Sequence, residues 1–412
     1  MTTYTSLPPL PLPEGITSRY IQTSDLNFHI LEAGRPQTGT PQKPLIILLH
    51  GFPEIAYSWR RVLPKLAEAG YHAVAPDQRG FGRTTGWDTS SYEDVDLATF
   101  SLSSLVRDIV MLVHALGYRS VQCVAGHDCG AVSAAMCALM RPDFFRSVVL
   151  MSHPFNGSPE LPFDTASVNA DAGQSIEARG GGAGGAGGAE SSAAATGIHE
   201  ALAQLGRKHY KWYYSTARAG PEMSNLEPEE MHRFLRGYFH LKSGSWPGNR
   251  PHPLGKWSAE DLVKLPGYYI MPLDKSMPAT VAIDMAEESS KGLSSHSWLP
   301  DDELAVYAAE YGRTGFQGGL NWYRVRTAAG GRYTKDFEVF AGKKLEPPCA
   351  FVSGKLDWGN YQEPGAIEKM KDGVSCADLH ILRFLDGVGH WTPQEGSEEV
   401  ARTIVELAGG LQ

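Results

Sequence analysis

Four short stretches hold the residues best suited to chemistry. In VQCVAGHDCGAVSA (121–134), Gly126-His127-Asp128-Cys129-Gly130 follows an apolar run and opens a segment of helical spacing. Glycines two residues before and two after a central side chain permit a sharp strand-to-helix turn that pushes that side chain outward. The centred residue here is an aspartate. Cys129 does not fit the central place, because that frame needs glycine at 127 and 131, where His127 and Ala131 stand. By itself the pentapeptide equally fits an ordinary turn with a helix-capping aspartate. A carboxylate nucleophile suits a restricted substrate class. Attack on a saturated carbon gives an ester that hydroxide can cleave, whereas serine would give an inert ether. Aspartate, which ordinarily titrates near pH 3.9, also needs no base to activate it. The turn therefore points to alkyl transfer followed by hydrolysis, and away from esterase or protease chemistry.

That second step needs a base. GVGHWTPQE (387–395) places His390 just after the last strand-like run, and Asp357 in GKLDWGN also sits just past a strand-like run. The order Asp128, Asp357, His390 matches the nucleophile, acid, histidine order of α/β hydrolases. In those roles Asp357 fixes the tautomer of His390, and His390 deprotonates water. His50-Gly51-Phe52-Pro53 directly follows the apolar run PLIILL, so the backbone N–H groups of Phe52 and Cys129 are the candidate oxyanion donors.

These residues must be held by elements, and the pattern supplies them. Paired strands are read at 18–34, strands at 44–49, 71–76, 120–124 and 147–152, and helices at 58–70, 102–116 and 130–140. The beat resumes with strands at 349–353 and 379–384 and helices at 364–371 and 398–407. Strands alternating with helices imply a mostly parallel sheet, and continuously apolar strands imply helices on both faces. From about 156 to 344 the chain is rich in Tyr, Trp, Met and Pro and reads as helices and loops. The expected organisation is a core of 1–155 plus 345–412 interrupted by an inserted, mainly helical segment, 156–344.

Composition agrees. The chain has 412 residues, 42% hydrophobic, with a formal net charge of −9, so no basic nucleic-acid footprint is present. Glycine, 45 residues, is about 11% against a usual 7%. Nine glycines fall between Gly173 and Gly197, a low-complexity tract read as a flexible insertion. Five cysteines without CxxC spacing suggest neither a disulfide framework nor a zinc site. No apolar run approaches the ~20 residues of a membrane span, and the first residues lack the pattern of a secretory signal. The expectation is a cytoplasmic protein without cofactor or metal; the oligomeric state is not legible.

Together HGFPE (50–54), DQRGFG (77–82), GHDCG (126–130), KLDWG (355–359) and GHWTPQE (389–395) resemble, in order, the α/β-hydrolase-fold epoxide hydrolases of the soluble type with an aspartate nucleophile. The resemblance spans most of the chain. It implies a helical cap inserted into an α/β-hydrolase core, and conversion of an apolar epoxide to a vicinal diol. GLNWYR (319–324) is similar to the cap motif carrying one of two tyrosines that donate to the epoxide oxygen, here Tyr323. The second lies early in the family's cap; Tyr213 in HYKWYYSTARAGPE is the best match, with Tyr210 and Tyr214 as rivals. A phenol with pKa near 10 stays protonated at neutral pH and donates strongly to a developing alkoxide. Trp212, Trp322 and Trp358, with Phe52, are the expected apolar pocket walls.

The sequence departs from the family at Cys129, where members often carry Trp. The backbone N–H survives that change, but the pocket wall is smaller. Two other functions use similar parts: a haloalkane or haloacid dehalogenase with the same triad, and a non-catalytic hydrolase-fold binder of small molecules. Cys129 and Val132 lack the guanidinium groups of the fluoroacetate-dehalogenase branch, and the complete triad argues against a binder.

Overall fold

The computed structural model describes residues 7–161, 192–288 and 293–410. The described strands are β1 (Ile16–Gln22), β2 (Asn27–Ala33), β3 (Leu45–Leu49), β4 (His72–Pro76), β5 (Cys123–His127), β6 (Val148–Met151), β7 (Arg207–His209), β8 (Ile270–Pro272), β9 (Cys349–Gly354) and β10 (Leu379–Leu385). Eight of them form one sheet in the order β1-β2-β4-β3-β5-β6-β9-β10. β1 pairs antiparallel with β2, and β2 with β4; every other pairing in this sheet is parallel.

The apolar strands bury both faces. Ile46 and Leu48 of β3 enter one core with Leu63 and Leu66 of the helix Leu63–Glu68 and with Ile404 of the helix Ser397–Gly409. Leu45, Ile47 and Leu49 enter the other, with Ile109 of the helix Leu102–Ala115 and Met136 of the helix Cys129–Met140. This is the period-2 alternation of a strand covered on both sides.

Two expected elements differ. The helix expected over 58–70 divides into a 3-10 turn, Ala56–Trp59, and the helix Leu63–Glu68. Pro64 occupies the first turn of the latter, where its missing N–H is tolerated; deeper in one continuous helix it would break a hydrogen bond. The strand expected at 120–124 lies at 123–127. Its ladder continues through Gly126, paired with Leu49 and Leu150, and His127, paired with Met151. The apolar run alone hid that extension, because pairing uses backbone groups.

The sheet order places the site. From β3 the chain steps to β4 on one side and later returns to β5 on the other. At such a switch the loops at the carboxyl ends of neighbouring strands diverge and leave a crevice. The loop after β3 carries His50–Glu54, and the turn after β5 carries Asp128.

Between β6 and β9 the described chain is mostly helical, including Tyr210–Tyr214, Ala219–Ser224, Pro228–Lys242, Met277–Met285, Asp301–Thr314 and Gln317–Thr327, plus the small antiparallel pair β7–β8. That two-stranded pair was not anticipated. Most of the Gly/Ala-rich tract near 173–197 lies outside the described residues. Its end does not fit a flexible insertion: residues from Ser192 onward form the helix Ser192–Gln204, consistent with the high helix propensity of SAAA.

Candidate active site

Asp128 sits between β5 and the helix Cys129–Met140 with φ 53° and ψ −121°, a region strained for a residue with a Cβ. The neighbouring glycines make the turn possible. A Cβ on Gly126 would lie 2.0 Å from the Gly130 carbonyl oxygen, and one on Gly130 would lie 2.3 Å from that of Leu49.

The turn delivers the carboxylate to two partners. The Phe52 N–H donates to its Oδ1 at 3.1 Å. His390 Nε2 lies 3.4 Å from Oδ2, while His390 Nδ1 lies 3.1 Å from Asp357 Oδ1. Asp357 also accepts from the Gly359 N–H at 2.7 Å and the Ser353 hydroxyl at 3.3 Å. Burial pushes the Asp128 carboxyl upward, but His390, Lys242 and His127 outweigh it and hold the group well below the usual carboxylate range. For Asp357 burial likewise acts upward and is outweighed, chiefly by His390. Cys129 follows directly; burial and then the Asp128 charge push its thiol well up, so it is not a thiolate. Its N–H is one of the first-turn donors that a helix leaves without an internal partner.

Sequence reading assigned no role to His127 or Glu54, although both stand in the quoted motifs. The two ring nitrogens of His127 lie 2.6 Å from Glu54 Oε2 and 2.7 Å from the His390 carbonyl oxygen. Both partners only accept, so both nitrogens must donate, which makes this ring an imidazolium. Burial pulls the His127 pKa down, yet Glu54 outweighs it and the net direction is up. Glu54 is driven to about 2, its burial being outweighed by His127. Glu54 further accepts from the Gly51 N–H at 3.1 Å and from Gln394 at 3.0 Å. One buried ion pair thus ties together the Phe52 loop, the Asp128 turn and the His390 loop.

A second tie runs to the helical segment. The Lys242 carbonyl accepts from the His390 N–H at 2.9 Å. The Glu395 carboxyl accepts from the N–H groups of Gly244 (2.7 Å), Trp391 (3.0 Å) and Gly389 (3.1 Å).

The tyrosines sort by direction. The Tyr323 ring lies 5.6 Å from Phe52, 5.0 Å from Tyr214 and 5.9 Å from Tyr210. For both Tyr323 and Tyr210 burial is the main upward influence on the phenol, and the Asp128 charge the next. Tyr213 points elsewhere. Its hydroxyl donates to Glu222 at 2.8 Å, and Lys208 Nζ stands 4.9 Å from its ring centre. The expectation for Tyr213 therefore does not fit; of its rivals, Tyr210 packs on Tyr323 and feels the Asp128 charge, with its hydroxyl donating to Gln362 at 3.4 Å, while the Tyr214 hydroxyl is taken by Tyr238 at 3.1 Å.

The tryptophans also separate. The Trp322 indole donates to the Arg79 carbonyl at 2.9 Å and packs on Phe81, tying its helix to the loop after β4 rather than walling the site. Trp212 is half-buried against His199 and His209. Trp358 adjoins Asp357, buried, with its ring 4.9 Å from His252.

A mostly parallel sheet flanked by helices, with an aspartate in the strained turn after β5, is the α/β-hydrolase fold. The family profile for that fold matches residues 44–239. Over nearly its full length the chain is similar to epoxide hydrolase A of Mycobacterium tuberculosis (27% identical, covering 96% of this chain and 98% of that one). It is also similar to an epoxide hydrolase of Caballeronia sordidicola (28%; 95% and 94%). Among solved structures, the epoxide hydrolase from an endophytic Streptomyces superposes with a TM-score of 0.71 at 26% identity, covering 97% of both chains. Potato (Solanum tuberosum) epoxide hydrolase I superposes with 0.65 at 25%, covering 95% of this chain and 98% of that one. The resemblance read from the motifs thus extends over the whole fold. Among the described residues, no helix is long and apolar enough to cross a membrane.

Proposed function

We propose that this protein is an epoxide hydrolase that opens an epoxide through an ester on Asp128. The observation that carries the reading is the pair of phenols, Tyr210 and Tyr323, with rings 5.9 Å apart and both under the charge of Asp128, a carboxylate that also meets a histidine. A halide leaving group needs no proton, whereas an epoxide oxygen does. In this reading 156–344 acts as a cap that brings the phenols over the core.

With Oδ1 held by the Phe52 N–H, Oδ2 attacks a ring carbon. The carbon–oxygen bond breaks, and Tyr210 and Tyr323 donate to the forming alkoxide. His390 Nε2, oriented by Asp357, then takes a proton from water. The hydroxide adds to the ester carbonyl, where Phe52 and Cys129 N–H groups hold the oxyanion. Collapse breaks the ester bond to the substrate oxygen, which takes the proton held on His390, so the diol leaves and a water oxygen stays in Asp128. The family similarity to epoxide hydrolases supports this reading, and the aromatic surroundings of Tyr323 favour a substrate with an apolar body.

A single turnover with styrene oxide in 18O-labelled water tests the route. Label in the Asp128 carboxylate is expected; unlabelled Asp128 with labelled diol overturns it. Halide release from 1-haloalkanes without diol formation from epoxides would favour a dehalogenase instead.

A further inference from the structure

The helix Pro228–Lys242 ends in a lysine that the chemistry above does not use. Lys242 is 3% exposed, and among the described residues its ammonium meets aromatic rings rather than a carboxylate. Four rings surround it instead: Tyr269 at 4.9 Å, Tyr238 at 5.2 Å, Trp391 at 5.3 Å and Tyr268 at 5.9 Å from Nζ to centroid. Aromatic faces attract a cation, but they offer its N–H groups no hydrogen-bond acceptor. A second donor stands beside it. The Tyr269 hydroxyl is buried without a hydrogen-bond partner, whereas the adjacent Tyr268 hydroxyl is satisfied by Asn249 at 2.7 Å.

Both groups border the reaction site. The Tyr269 ring is 5.3 Å from Tyr210, and the Trp391 ring is 4.8 Å from His390. The ammonium is therefore one aromatic ring from a proposed proton donor and one ring from the proposed base. Its charge also reaches the nucleophile, helping to hold Asp128 ionised against its burial. Two donors inside aromatic walls complement an anionic oxygen on an otherwise apolar ligand.

We propose that Lys242 and Tyr269 form a specificity subsite for a carboxylate carried a few bonds from the oxirane ring. Anchoring that end fixes which ring carbon meets Asp128, so the subsite sets regiochemistry as well as affinity. The proposal rests on the epoxide reading for its substrate, but its binding test does not.

The comparison is between 4-(oxiran-2-yl)benzoate and the corresponding neutral amide. The ratio of their kcat/KM values, taken in wild type, Lys242→Met and Tyr269→Phe, cancels intrinsic reactivity and any general loss of packing. A fall of about tenfold or more in the acid-to-amide ratio for Lys242→Met, with a smaller fall for Tyr269→Phe, is expected for a lost charged hydrogen bond. An unchanged ratio in folded Lys242→Met overturns the subsite. Calorimetry on the wild type decides the matter if that variant fails to fold. Trans-cinnamate should bind about tenfold more tightly than cinnamyl alcohol, and equal or weaker binding overturns the proposal. Absence of diol from every epoxide would sink the epoxide reading, while the calorimetry would still judge the subsite.

Discussion

Around the helix Tyr210–Tyr214, side chains one, three and four residues apart differ by about 100°, 60° and 40°. Tyr210 and Tyr214 therefore share the face that meets Tyr323, and Tyr213 turns to Glu222. The family resemblance implied a tyrosine-rich helix early in the expected cap but did not orient it, since the orientation depends on what packs beneath. Tyr210→Phe and Tyr323→Phe should each slow ester formation by about 10²-fold or more, the scale of general acid catalysis. Tyr213→Phe should stay within about threefold, as expected for a substitution away from the reacting groups. Single-turnover diol formation distinguishes these outcomes; a large loss in Tyr213→Phe alone would reverse the assignment. At the triad, Asp128→Ala should abolish turnover. His390→Gln should accumulate the alkyl ester, visible as a mass increment on the peptide containing Asp128. Absence of that adduct in a folded, inactive variant would place His390 in the first step as well.

Elements position these side chains through close backbone approaches that only small residues allow. A Cβ on Gly389, next to His390, would lie 2.2 Å from the Gly244 nitrogen, and one on Gly244 would lie 2.3 Å from the Gly387 oxygen. The end of the helix Pro228–Lys242 thus presses directly on the loop of the base. Gly244→Ala must separate the two, moving His390 relative to Asp128. It should slow ester hydrolysis by about tenfold or more while slowing ester formation less, because small misplacements of a catalytic group are costly. Rapid-quench measurement of the ester would show it accumulating; equal effects on both steps would assign the contact to folding alone. None of this was legible from GVGHWTPQE, whose glycines look like an ordinary loop until the opposing segment is placed. The strand-helix beat, by contrast, was legible, since it is written in local apolar periodicity.

At the scale of the whole molecule, the Glu54–His127 pair joins loops far apart in sequence, and its stability has a definite pH signature. Glu54 falls from 4.5 to about 2 in the folded protein, so the unfolded chain binds the proton more readily. Its contribution, at most about 3 kcal/mol by linkage, is fully present above pH 4.5 and is lost as the pH falls toward 2. Glu54→Gln should be less stable at pH 7, and its deficit in denaturant midpoint should shrink as the pH is lowered through that window. A deficit independent of pH would mean that the pair contributes through packing alone. By itself the sequence determined the mostly parallel sheet flanked by helices and offered the glycine-bracketed aspartate with its proposed acid and histidine, because these depend on local pattern and chain order. Tertiary structure decided which tyrosines pack on Tyr323, that Trp322 ties its helix to the loop after β4, that His127 meets two acceptors, and that the Lys242 ammonium stands among aromatic rings. Those properties arise from partners brought together across hundreds of residues, where direction and burial are set by packing that no single segment encodes.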